Sequence, residues 1–190
     1  MKDLIVLGGP NGAGKTTAAQ VVVPRKLGIA EFINADEIAR GLSPFNPDAA
    51  SVAAGRLMLE RMRALARGEQ SFAIETTCSG RGHVDFLRRC KDDGWRVTLV
   101  FLWLPSPEIA IDRVARRVRA GGHGIPPDII VRRYWAGLRN LRERYLPLAD
   151  VAAIYDNAGE EPILIAERIA DAGLVIQDPT RWKSIEEGSR

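Results

Sequence analysis

The chain has little of what staples or anchors a protein. Two cysteines, Cys78 and Cys90, stand in 190 residues. They lack the close spacing of a metal site and are too few for a disulfide framework. No apolar run approaches the roughly 18–20 residues that cross a bilayer, so no membrane partner is expected. Met1-Lys2-Asp3 leads directly into the first apolar segment, which leaves no room for a signal peptide and predicts a cytoplasmic protein. Internal repeats and low-complexity linkers are also missing. Charge of one sign is scarce: 27 basic residues face 24 acidic ones, a net +3, which weighs against nucleic acid as the main partner. What remains, 46% hydrophobic and 27% charged, describes a globular chain able to bury a core. One domain is expected over residues 1–178, followed by a frayed tail at 179–190.

Against this background one local signal dominates. Leu4-Ile5-Val6-Leu7 is a short apolar run, and Gly8 to Thr17 reads GGPNGAGKTT. Ala18-Ala19-Gln20-Val21-Val22-Val23 follows and can continue as a helix. Strand, glycine loop and helix together match the phosphate-binding loop: Gly9, four residues (Pro10, Asn11, Gly12, Ala13), then Gly14-Lys15-Thr16 and Thr17. Glycines let backbone N–H groups converge on a polyphosphate at the positive end of a helix. Lys15 then reaches the β- and γ-phosphates, and the Thr16 hydroxyl ligates Mg²⁺. ATP and Mg²⁺ are the expected cofactors.

Further along, Glu31–Asn34 reads as a strand ending in a helix entry at Asn34-Ala35-Asp36. A helix is expected from about Pro47 to Arg67, a strand over Ser71–Ile74 ending at Glu75, and a helix from about Gly82 to Asp93. His83 on that helix reads as a surface residue. Arg96–Leu104 (RVTLVFLWL) is the strongest strand. Two basic helices follow, separated by Gly121-Gly122-His123-Gly124-Ile125-Pro126-Pro127. Val151–Tyr155 is a last core strand, ending at Asp156-Asn157, then a helix near Glu161–Ala170 and an edge strand at Leu174–Ile176. Strands alternating with helices predict an α/β fold: a three-layer P-loop NTPase architecture with a mostly parallel sheet of about five to six strands. Ligands gather at the C-terminal strand ends of such sheets. The phosphate loop, Asn34/Asp36, Glu75-Thr76-Thr77 and Asp156-Asn157 should therefore surround one cleft, with Asn157 a candidate contact to the adenine edge.

A transporter-type ATPase is excluded by the absence of an LSGGQ-like signature and of an apolar strand ending in Asp-Glu. A small-molecule kinase needs a phosphate loop, a base for the acceptor hydroxyl and mobile cations. Asp36 can serve as the base, although a first-turn acid favoured by the helix dipole explains Asp36 and Glu37 equally. Glu75, with Thr76, Thr77, Ser79 and Arg81 after it, suits sugar hydroxyls or a strand-end cap. From Arg113 to Arg144 the chain holds nine arginines and no lysine, against Asp128 and Glu143. Arginine suits planar, bidentate recognition of phosphate.

GGPNGAGKTT, FINADEIARGLSP, IETTCSG, RVARRVRAGGHGIPPDIIVRRY and YDN, in that order, resemble the zeta-toxin family in its solitary, GGH-containing branch. The resemblance covers about residues 4 to 157. It implies a kinase that phosphorylates the 3′-hydroxyl of UDP-N-acetylglucosamine. It further implies Asp36 as base, Lys15 and Thr16 as ATP and Mg²⁺ contacts, and Glu75 with Thr77 as sugar-nucleotide contacts. Zeta toxins hold the donor phosphates with two arginines from the segment matching residues 113–133. Arg117 and Arg133 are chosen for these, with His123 as helper or loop cap. An antitoxin protein is the partner the family implies. Two alternatives stay open: a kinase of another hydroxyl metabolite, antibiotic or nucleoside, and a nucleotide-gated nucleic-acid-binding protein.

Overall fold

The computed structural model describes residues 2–20, 28–169 and 173–189. Its centre is strand β1, Asp3–Gly8, whose Leu4, Ile5, Val6 and Leu7 are buried because the sheet is covered on both faces. The other strands are β2 (Glu31–Ile33), β3 (Phe72–Thr76), β4 (Arg96–Trp103), β5 (Val151–Asp156), β6 (Ile163–Arg168) and β7 (Val175–Ile176). They form one seven-stranded sheet in the order β2-β3-β1-β4-β5-β6-β7. The first five strands are mutually parallel, and β6 and β7 are added antiparallel. This is the mixed α/β, mostly parallel sheet of the P-loop NTPase fold. Neighbouring β1 and β3 send their crossovers in opposite directions, to β2 and to β4, so a crevice opens at their C-terminal ends.

Helix α1 starts at residue 15 and is described to residue 20; the expected continuation through Val21–Val23 lies outside the described residues. Helix α2 spans Ala35–Leu42, and α3 spans Ser51–Arg67 behind a 3₁₀ turn at Pro47–Ala50. The remaining helices before β5 are α4 (Val84–Asp92), α5 (Pro107–Arg119) and α6 (Pro127–Asn140). Helix α6 runs on through a wider π turn, Leu141–Tyr145, into a short α7, Leu146–Leu148. No helix among the described residues is long and apolar enough to cross a membrane.

Three expectations need correction. The segment expected as a helix near Glu161–Ala170 is strand β6, with Ile165 and Ala166 fully buried; Ala170 itself lies outside the described residues. Helix-forming Ala, Glu and Arg supply only tenths of a kcal/mol each, and six residues are too few to repay helix nucleation. The open edge of β5 offers a whole hydrogen-bond ladder instead. The sheet consequently has seven strands, not five or six. The tail expected to fray is helix α8, Pro179–Glu187. Asp178 caps it by accepting from the Arg181 backbone N–H at 3.0 Å, and its Trp182 and Ile185 are buried.

Helix α6 lies hard against the loop after β3. A Cβ at Gly137 would stand 2.7 Å from the Thr77 carbonyl oxygen, and Asn140 Nδ2 donates to the Cys78 carbonyl at 2.8 Å. Gly137→Ala is therefore expected to destabilise the protein by about 1–3 kcal/mol, the cost of overpacking a close contact. Urea unfolding measures it, and an unchanged midpoint would remove this contact as a constraint.

Candidate active site

The phosphate loop leaves β1 at Gly8 and closes on itself before α1 begins: the Ala13 N–H donates to the Pro10 carbonyl at 3.2 Å. Gly9 is compulsory. Its φ is +143°, and a Cβ there would meet the Leu102 carbonyl oxygen at 2.3 Å. Asn157, expected at the adenine, instead donates Nδ2 to the Ala13 carbonyl at 2.7 Å and props the loop from behind. Asp156 is buried and receives Arg181 Nε at 2.8 Å, so α8 reinforces the same strand end.

Lys15 is 6% exposed and folds back, donating Nζ to the Pro10 carbonyl at 2.9 Å. Glu75, at the end of β3 beside β1, is its counter-charge at 3.8 Å. The Glu75 Oε2 atom accepts from the Thr16 hydroxyl at 2.8 Å and from Asn34 Nδ2 at 2.9 Å. One carboxylate thus ties together the phosphate-loop lysine, the expected metal-ligating hydroxyl and the end of β2. Burial lowers the Lys15 pKa, and the Glu75 and Asp36 carboxylates oppose that. Burial raises the Glu75 pKa, and Lys15 and the Thr16 hydrogen bond oppose that. Each charge is held mainly by the other.

Asn34 caps α2, its Oδ1 accepting from the Asp36 backbone N–H at 2.8 Å. This cap sets Asp36 in the first turn, with its exposed carboxylate on the cleft. Three adjoining chambers meet at Asp36, two of which also share Glu75. One of these two, of about 300 Å³, lies over the phosphate loop and is bordered by Gly12, Gly14, Thr16, Thr17, Arg113 and Arg117. The other, of about 250 Å³, is bordered by Thr76, Thr77, Ser79, His83 and Arg133. Asn11, Lys15, Asn34, Asp36 and Glu75 border both, which places Asp36 where contents of the two would meet. Asn11 is 5% exposed, and its Oδ1 has no hydrogen-bond partner among the described residues. An amide oxygen takes hydrogens, which phosphates lack, so its complement is a hydroxyl or a water.

Of the two chosen arginines, Arg117 borders the phosphate chamber and Arg133 the second, and the two meet on a third of about 410 Å³ with Asp36, Arg40 and His123. Arg117 donates Nε and Nη2 to the His123 carbonyl at 3.1 and 2.8 Å, while Arg133 stands across Asp36 on the second chamber. Arg113, passed over in the sequence, is anchored by the Gly12 and Ala158 carbonyls at 3.4 and 2.7 Å and also borders the phosphate chamber. So does Arg40, which no motif singled out. It follows Asp36 by one helical turn. His123 borders the third chamber, its Nε2 lying 3.1 Å from Asp48 Oδ1. Two readings are corrected. Arg81 is exposed and borders none of the three chambers. His83, read as surface, is half-buried on the second.

Thr16 and Glu75 supply two oxygen donors beside the phosphate loop. That set fits Mg²⁺, which takes one or two protein oxygens and completes its shell with substrate phosphate and water. Cys78 lies under the same loop, where burial pushes its thiol up to about 12 and keeps it protonated.

The sequence profile of the AAA domain family AAA_33 matches residues 4–135. An uncharacterized protein of Haemophilus influenzae is 31% identical over 126 residues, covering 66% of this chain and 88% of its own length. Among solved structures, the AvrRxo1-ORF1:AvrRxo1-ORF2 complex with sulphate ions aligns with a TM-score of 0.77 at 17% identity over 100% of this chain. A form of that complex with ATP aligns with a TM-score of 0.74, also at 17% identity. In both, this chain spans 65% of the matched chain's length. The PezAT chromosomal toxin-antitoxin system of Streptococcus pneumoniae aligns with a TM-score of 0.65 at 16% identity, over 99% of this chain and 84% of that one. At such identities the structural likeness concerns the fold.

Proposed function

Because the chain belongs to the AAA domain family and sets a phosphate loop beside a second polar chamber with one carboxylate between them, we propose that it is an ATP-dependent small-molecule kinase. The acceptor hydroxyl enters from the Glu75–Ser79 side and is oriented by Asp36, which takes its proton as the acceptor oxygen bonds to the γ-phosphorus. The bond from that phosphorus to the bridging oxygen breaks, and ADP departs. Arg117 from the donor side and Arg133 from the acceptor side close over the charge that develops. Mg²⁺, held by Thr16 and Glu75 with the phosphates, would neutralise charge on the β- and γ-oxygens. Lys15 leaves the Pro10 carbonyl for the phosphates, a short reach for a side chain already folded over the loop.

The acceptor proposed is a sugar nucleotide, first of all UDP-N-acetylglucosamine at its 3′-hydroxyl. The ordered zeta-toxin-like motifs support it, as does the likeness to the PezAT system. An antitoxin partner rests on the same likeness. The carrying observation for phosphoryl transfer is the position of Asp36 on both chambers. Mass spectrometry of UDP-N-acetylglucosamine incubated with protein, ATP and Mg²⁺ tests it. A product heavier by one phosphate, missing with Asp36→Asn, is the expected result. ATP binding without that product would reject this acceptor and turn the search to other hydroxyl metabolites.

A further inference from the structure

Most polar groups around the second chamber are already committed to one another. Glu75 is occupied by Thr16, Asn34 and Lys15. The Thr77 and Ser79 hydroxyls share a hydrogen bond at 2.8 Å, and the Thr76 hydroxyl accepts from the Cys78 N–H at 3.0 Å. Among the described residues four side chains on this chamber carry a polar group with no hydrogen-bond partner: Asp36, Arg133, Asn11 through its Oδ1, and His83. The first two have parts in the transfer itself. His83 has none, and its position gives it no structural task either. It precedes α4 at the N-cap but makes no capping hydrogen bond.

We propose that His83 is a specificity-determining residue that binds the acceptor, hydrogen-bonding a hydroxyl or carbonyl adjacent to the one phosphorylated. The chemical class selected is a polyhydroxylated ring such as a sugar, rather than a simple alcohol. This rests on the kinase reading above and deepens it. A neutral imidazole offers one donor and one acceptor nitrogen, the same pair of capacities as a hydroxyl. Burial lowers the His83 pKa and so favours that neutral form. His83 borders the chamber of about 250 Å³ together with Asp36, Glu75, Lys15 and Arg133. Lys15 is paired with Glu75, which leaves the acceptor's uncharged hydroxyls to His83 and to the Asn11 amide oxygen.

Steady-state kinetics of wild type, His83→Phe and His83→Gln test this, with UDP-N-acetylglucosamine as probe. If wild type prefers another member of a panel of sugar phosphates, nucleosides and aminoglycosides, that member replaces it. His83→Phe is expected to raise the acceptor KM by about 5- to 10-fold, the worth of a neutral hydrogen bond, with the ATP KM within about 2-fold. His83→Gln should recover part of the loss, and the melting temperatures of all three should agree. An unchanged acceptor KM in His83→Phe overturns the assignment while the kinase reading stands. A parallel rise in both KM values, unrecovered by Gln, marks a packing role and overturns it too. If wild type phosphorylates no member of the panel, the kinase reading fails first and this inference falls with it.

Discussion

Asp36→Asn is expected to fold and bind Mg²⁺-ATP like wild type and to turn over about 10²–10⁴-fold more slowly. Folding is spared because the cap of α2 runs through the Asp36 backbone N–H, and the carboxylate is exposed. An amide keeps the shape and loses the proton-accepting capacity. The drop therefore belongs in kcat, with the KM for ATP unchanged, and single-turnover kinetics with a saturating acceptor separate the two. Turnover near wild type would remove Asp36 from the mechanism. The neighbouring carboxylate is a natural control. Glu37 borders the donor chamber but is held by Arg40 through both oxygens, at 2.9 and 3.0 Å. Glu37→Gln should fall far short of the Asp36 effect.

Glu75→Ala carries the largest stability penalty expected at the site. The substitution takes a counter-charge from buried Lys15 and an acceptor from Thr16 and Asn34. Breaking a buried pair from one side costs about 3–5 kcal/mol, because the remaining charge stays out of water. The separation of 3.8 Å makes this less a direct contact than a shared enclosure. Desolvation thus governs the cost more than Coulomb attraction does. Glu75→Gln keeps an oxygen for Thr16 and Asn34, so it should retain more of the stability yet lose about 10²-fold in turnover, as oriented charge is lost at phosphoryl transfer. Urea unfolding of both variants measures the first effect and kinetics the second. Equal unfolding midpoints for wild type and Glu75→Ala would show that Lys15 does not depend on this partner.

What could be read from the sequence was what is local. The phosphate loop is a contiguous string whose physics is internal to it. Asn34 announces its helix by capping it, and the strand-end rule gathers Asp36, Glu75 and Thr77 without knowledge of any contact. The role of Glu75 was not readable in the same way. It depends on β3 lying directly beside β1, a neighbour relation that sequence order conceals. An apolar strand ending in one acid therefore gives no sign of the hydrogen bond from Thr16. His83 read as surface because a helix start usually is, and only the packing of α4 beside the chamber changes that. Strand β6 was hidden for an energetic reason: its pairing partner, not its composition, decides its state. Helix α8 had legible signs in Asp178-Pro179, a cap followed by a first-turn proline, but its anchor, Arg181 on Asp156, joins segments far apart in sequence.

Arg133 and Gly137 stand one turn apart on α6. The first borders the second chamber, and the second is pressed against the loop that walls it. Guanidinium and wall are therefore two ends of one short lever. Under the proposed kinase reading, a molecule that pressed on the wall would press on the same turn of helix that carries the guanidinium. The shape of that wall and the place of the guanidinium are in this way one structural variable, not two.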